Sequence, residues 1–256
     1  MIKHTGKNQM FTKLRRQNNE FFIPEKKSFS PNSINKDFIP EIFNFCFDMT
    51  FGKKGEHRKY RSGGTHFRRN GEIFCDTFQG KLGEYFVYQK LKELGINCSK
   101  PDIERWSLGR WDDYDFDINE KSINVKSMAH FSNLLLLETK DWNEDGIYIP
   151  NGEPYDYFIV SRTKPDLKSV FKSKRMLYSD NASFSTIEAI IDEINFEADI
   201  PGYIDNSILV EAIVAQQILP KGALLNGRIT MDAENYYILS YDFLELENIV
   251  QALRSP

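Results

Sequence analysis

Apolar and polar positions alternate in patterns that divide the chain into a few clear elements. Over residues 77–94, Phe78, Leu82, Tyr85, Phe86, Tyr88, Leu91 and Leu94 recur at three- and four-residue steps. This predicts an amphipathic helix that Gly95 ends as a C-cap. Between residues 114 and 126 the period switches to two. Tyr114, Phe116 and Ile118 alternate with Asp115 and Asp117, and after a turn at 119–122 Ile123 and Val125 alternate with Asn124 and Lys126, which predicts a β-hairpin. Residues 155–161 and 236–240 read as strands, and residues 38–51 as a short aromatic helix. Ile187, Ile190, Ile191 and Ile194 form a helical stripe behind a capping box of Ser185 and Glu188, and a last helix opens at Asp242 and Glu245. This order predicts an α/β (α+β) domain on one central mixed β-sheet flanked by helices.

Outside these elements the composition changes. Residues 1–35 are polar and basic and read as a loosely packed N-terminal arm. Residues 36–256 read as a single domain, with a core at 77–161 and a C-terminal half at 162–256. Residues 52–71 hold seven Lys/Arg, one acid and five Gly with no apolar period, and are expected to form a loop. The chain carries a net charge of −4, yet residues 1–71 have fifteen Lys/Arg against six Asp/Glu, or +9, leaving −13 for the rest. That asymmetry points to local anion binding by an acidic body. No apolar run is long enough to span a membrane, the N-terminus lacks a signal-peptide core, and the three cysteines are far apart. A cytoplasmic chain with reduced thiols is expected.

The hairpin holds the candidate chemistry. Phosphodiester hydrolysis needs an activated water, stabilisation of developing negative charge and help for the leaving oxygen, and hard Mg²⁺ serves these through oxygen ligands. Asp115 and Asp117 share the polar face of the first strand, and Asn124 and Lys126 that of the second. A tight turn brings Asp115 beside Asn124 and Lys126. There the Val125 carbonyl can add a ligand, and Lys126 can orient or deprotonate a water.

An Asp followed, after the turn, by Asn124-Val125-Lys126 resembles the metal motif of the PD-(D/E)XK nuclease superfamily, in which an acid-x-Lys closes the hairpin. The run from Gly80 to Gly95 resembles the superfamily's upstream helix, with Glu84 in its acidic position. Tyr157–Val160 stands where the next core strand is expected. The resemblance spans residues 77–161 and implies a restriction-endonuclease-like core. It also implies a catalytic set of Asp115, Asn124, Lys126 and Glu84, with metal ligands from Asp115, Glu84, Asn124 and the Val125 carbonyl. Asp112, Asp113 and Asp117 stay open as alternatives to Asp115. The implied cofactor is Mg²⁺, with Mn²⁺ as a substitute. Asn124 departs from the pattern, because an amide oxygen is a weaker ligand than a carboxylate.

The implied partner is double-stranded DNA. Lys53, Lys54, Arg58, Lys59, Arg61, Arg68 and Arg69 form one basic segment. Arg162, Lys164, Lys168, Lys172, Lys174 and Arg175 form a second, and the two flank the proposed catalytic sheet. The expected activity is that of a type II restriction endonuclease acting as a homodimer, with a DNA methyltransferase as genetic partner and the C-terminal half supplying recognition and dimerisation elements. The alternatives are a repair or recombination nuclease (a junction resolvase or nicking enzyme) and a non-catalytic DNA-binding protein on a decayed nuclease fold. No phosphate-binding loop, nucleophile elbow, zincin motif or zinc-ligand spacing is present.

Overall fold

A computed structural model of the chain describes residues 11–52, 54, 67–103 and 114–254. The chain opens with β1 (Arg15–Gln17), β2 (Glu20–Phe22) and β3 (Asn32–Ser33), then α1 (Ile39–Met49) and α2 (Asn70–Glu93). Next come β4 (Phe116–Ile118), β5 (Lys121–Ala129), β6 (Leu134–Glu138), β7 (Ile147–Tyr148), β8 (Glu153–Pro154) and β9 (Tyr157–Lys164). The helices α3 (Leu167–Ser173) and α4 (Phe184–Asp192) lead to β10 (Glu197–Asp205) and α5 (Asn206–Val214). Finally β11 (Ile218–Leu219), β12 (Leu224–Leu225), β13 (Ile229–Thr230) and β14 (Asn235–Leu239) precede α6 (Val250–Arg254). No helix among the described residues is long and apolar enough to cross a membrane.

The expected mixed sheet is the five-stranded β3-β10-β9-β5-β4, in which β5 runs parallel to β9 and the other pairs are antiparallel. Both faces are covered. On one side α2 lays Val87 and Leu91 over Ile123 and Ile159, while α1, α3 and α4 extend the same layer around Phe74, Phe78 and Phe171. On the other side Phe158, Val160 and Ile204 meet Leu209, Ala212 and Ile213 of α5, together with Leu135, Leu137 and Ile238 from the small sheet β11-β14-β6. Alternation along β5 therefore turns Ile123, Val125 and Ser127 toward α2, and Asn124, Lys126 and Met128 toward the α5 side.

Several expectations need correction. The N-terminal arm is not loose from Phe11 onward. Phe11, Leu14, Phe21 and Ile34 are buried, β2 pairs with β12, and β3 pairs with β10. The long helix starts at Asn70 rather than Thr77, because the Glu72 carboxylate accepts the Arg69 N–H and Asp180 accepts that of Asn70. Ser183, not Ser185, caps α4. The last helix opens after Glu245 and not at Asp242, whose carboxylate is held by the Thr12 N–H and hydroxyl; it begins as a 3-10 turn over Leu246–Ile249 and becomes α-helical at Val250. Arg162 is not a surface cation. It is 1% exposed, forms a two-point ion pair with Asp199 at 2.8 and 2.5 Å, and donates to the carbonyls of Lys27 and Ser28.

That pair ties the N-terminal segment to the second face of the sheet. Removing one member of a buried pair strands the other charge and typically costs about 3–5 kcal/mol. Asp199→Ala should accordingly lower the urea midpoint by that equivalent with the denaturant slope unchanged. A loss below about 1 kcal/mol would contradict the role given to the pair.

Candidate functional site

The hairpin closes through Asn119 and Glu120, whose φ values of 52° and 62° make the left-handed two-residue turn that tight hairpins favour. Asp156, just before β9, fastens the turn by accepting from the Ser122 N–H and hydroxyl and pairing with Lys121 at 3.0 Å. Strand pairing then stops early, since β4 covers only Lys121–Ile123 of β5. Beyond that point Asp115 turns its carboxylate onto the freed edge and accepts the Val125 N–H at 2.6 Å. In a strand the N–H and C=O of one residue face the same side, so the Val125 carbonyl looks onto this edge too. Phe116, Ile118 and Ile123 are buried as expected, whereas Tyr114 is 42% exposed rather than in the core.

From the other side α2 brings Glu84 and Lys81, which form an ion pair of 2.6 Å with side-chain exposures of only 12% and 16%. The helix can come this close because position 83 is glycine. A Cβ there would lie 1.7 Å from Ser127 Oγ and 3.3 Å from the Ser161 Cβ. Burial, and then the charge of Asp115, push the Glu84 carboxyl up to about 8 against the pull of Lys81. Burial also raises Asp115, although the Val125 N–H, Lys126 and Lys81 oppose it. Burial lowers the Lys126 ammonium, against the charges of Asp115 and Asp141. Lys126 has no hydrogen bond or ion pair among the described residues, and the buried Asn124 Oδ1 on the same strand face has no donor there.

Asp115 and Glu84 thus come together at an open strand edge. The Val125 carbonyl faces this edge, and Lys126 lies within electrostatic reach of Asp115. Asp117 is exposed on β4 opposite Ser122 and takes part in none of these interactions. Asp112 and Asp113 lie outside the described residues. Lys81 escaped notice in the sequence, where it looks like any polar helix residue, although its spacing three before Glu84 was visible. Among the described residues, no group of three or more His, Cys, Asp or Glu is placed to hold a metal ion. The edge offers two carboxylates and a carbonyl, oxygen donors suited to a hard cation, while the neutral Asn124 side chain lies on the α5 face of the same strand.

The expected nucleic-acid contacts fare unevenly. Lys53, Arg58, Lys59 and Arg61 lie outside the described residues. Lys54 pairs with Asp48, Arg69 with Asp180 and Lys174 with Glu193. Arg68 and Lys168 share Asp76 at 3.0 and 2.6 Å. Lys172 and Arg175 are exposed and make no ion pair among the described residues. Comparison of the chain with protein-family models, with curated proteins and with solved structures gave no match.

The raised carboxyls have a consequence for stability. Glu84 holds its proton more tightly in the folded chain, so between its ordinary value of 4.5 and about 8 the folded state binds more protons than the unfolded one. Its contribution is complete below the lower value and is lost as pH climbs toward the upper one. In metal-free buffer the melting temperature of Glu84→Gln relative to wild type should therefore rise by a few degrees between pH 5 and pH 8. A difference that stays flat across this range would contradict the raised pKa of the buried Glu84 carboxyl.

Proposed function

We propose that the chain is a Mg²⁺-dependent endonuclease hydrolysing phosphodiester bonds of double-stranded DNA, acting as a type II restriction enzyme and a homodimer. One observation carries the reading. Two half-buried carboxylates, Glu84 and Asp115, both pushed above the ordinary carboxylate range by burial, meet at an unpaired strand edge, with Lys126 on that strand making no hydrogen bond or ion pair among the described residues. Two dehydrated carboxylates side by side are costly in a structural cluster, and a divalent cation relieves that cost. Asp115, Glu84 and the Val125 carbonyl would hold that ion. When bound, Mg²⁺ supplies charge stabilisation for the transition state and lowers the pKa of a bound water.

The protein's own groups account for the rest. Lys126, its pKa lowered by burial, would take a proton from an attacking water or neutralise charge on a scissile phosphate. Lys81 compensates Glu84 and keeps two carboxylates tolerable before substrate arrives. The Val125 N–H fixes the orientation of Asp115. The parallel neighbour β9 holds β5 from its other edge, so the open side is left for substrate.

A plasmid digest tests the reading directly. Supercoiled DNA with Mg²⁺ or Mn²⁺ should give discrete linear fragments, and EDTA should abolish them. Asp115→Ala and Lys126→Ala should each lower the rate by about 10²-fold or more with the melting curve retained. The neutral Asn124, and the lack of a third acidic ligand among the described residues, favour one rival, a non-catalytic DNA-binding protein. Duplex binding without cleavage in either metal would establish that rival and end the catalytic claim, while cutting confined to branched DNA would favour a resolvase.

A further inference from the structure

We propose that the groove beside the candidate site, between the first half of α2, the open edge of β5 and the start of α3, receives a single unstacked nucleobase. Phe131 and Ile229 supply the apolar part of its lining. The inference rests on the nuclease reading, because it makes the groove part of the same nucleic-acid surface. The groove measures about 690 Å³ and its wall includes Gln79, Gly80, Ser127, Phe131, Lys168 and Ile229. Gly80 lies one helical turn before Glu84. Ser127 lies two residues beyond Val125 on the same strand face, roughly 6–7 Å along β5. A strand lying with one phosphate at the Asp115 edge thus has a neighbouring nucleotide over this groove.

The chemistry of the wall selects a base over a phosphate. Its charges balance, with Arg68 and Lys168 facing Asp76 and Asp166. Asp76 already holds both cations, one on each oxygen, and Asp166 accepts the Ser169 hydroxyl. A phosphate oxygen is only an acceptor and calls for a wall of donors. A base edge presents donors and acceptors together. Gln79 supplies both kinds. So does the outer edge of β5, where alternation turns the N–H of Ser127 and of Ala129 and the Ser127 carbonyl outward beyond the reach of β4.

The rim completes the fit. Phe131 is 59% exposed and Ile229 is 50% exposed; one lies in the turn after β5 and the other opens β13, about a hundred residues apart, and both line one groove. Scattered apolar side chains on a surface are ordinary, but two lining one otherwise polar groove offer apolar surface on which a flat ring can be held. The Phe131 ring is set in place edge-on against His130 at 5.2 Å, and His130 against Phe29 at 5.7 Å, so the face stays presented without a ligand.

Fluorescence anisotropy in EDTA tests this with two labelled duplexes of one sequence, one fully paired and one carrying a single bulged adenine. The bulge removes most of the unstacking cost, so the wild-type protein should bind the bulged duplex about tenfold more tightly. Phe131→Ala, a change at an exposed position, should abolish that preference and leave the slope of log affinity against log salt unchanged. Equal binding of the two duplexes, or a Phe131→Ala variant that keeps the preference, would overturn the proposal. So would a flattened salt slope in that variant, which would make the groove a seat for the backbone. Plasmid cleavage without a bulge preference would sink the groove alone, whereas failure to bind either duplex would sink the nuclease reading with it.

Discussion

The contact on which the site depends is the one between the α2 backbone at Gly83 and the two central strands. A Cβ there would meet Ser127 Oγ at 1.7 Å, and even with that hydroxyl turned away it would lie 2.9 Å from the Ser127 Cβ, so a side chain would push helix and sheet apart. Overpacking of this kind commonly costs about 1–3 kcal/mol. Because the helix lies so low, its next residue, Glu84, emerges at the margin of the sheet and loses most of its water. Lys81, one turn earlier, is carried to the same place. One turn further on, Val87 and Leu91 seal the contact over Ile123 and Ile159. Two carboxylates meet at a strand edge because a glycine lets a helix reach it.

The second constraint is the early end of the β4–β5 ladder. A longer first strand would pair the Val125 amide with backbone and close the edge. Here Asp115 takes over that hydrogen bond with its side chain, so the edge is capped by a charge instead of a strand. The exchange leaves a partly dehydrated charge next to Glu84, and the raised pKa of both groups records what it costs. Local strain in electrostatics of this sort concentrates at functional sites, where it prepares a place for a ligand of opposite sign. The buried Arg162–Asp199 pair is the contrasting case, because there every charge has its partner and the cluster only holds the N-terminal segment in place.

Much of this was legible from periodicity. The α2 stripe, the hairpin and the β9 strand follow from apolar spacing alone, and the Asp115–Lys126 motif from residue types. What escaped has physical reasons. β10 is a central strand, yet Pro201 and Gly202 break its pattern. It survives as a strand through a bulge between Asp199 and Gly202, where the φ of Gly202 is 144° and the carbonyl of Leu244 lies too near for any Cβ. Arg162 read as a DNA contact because charge runs are usually exposed, and nothing local revealed that Asp199, 37 residues later, would bury it. The first two turns of α2 were missed because Asn70 and Gly71 are poor helix formers, and it is Glu72 and Asp180 that satisfy the N–H groups there.

The central claim is that Glu84 and Asp115 frame a site for one divalent cation. The most direct measurement is a Mn²⁺ titration of the purified chain without nucleic acid, followed by the loss of the free-ion electron paramagnetic resonance signal. The account predicts one ion bound per chain in the wild type, and no binding in Asp115→Asn or Glu84→Gln at the same concentrations with both variants folded. A wild type that leaves the free-ion signal intact, or variants that bind as the wild type does, would contradict it.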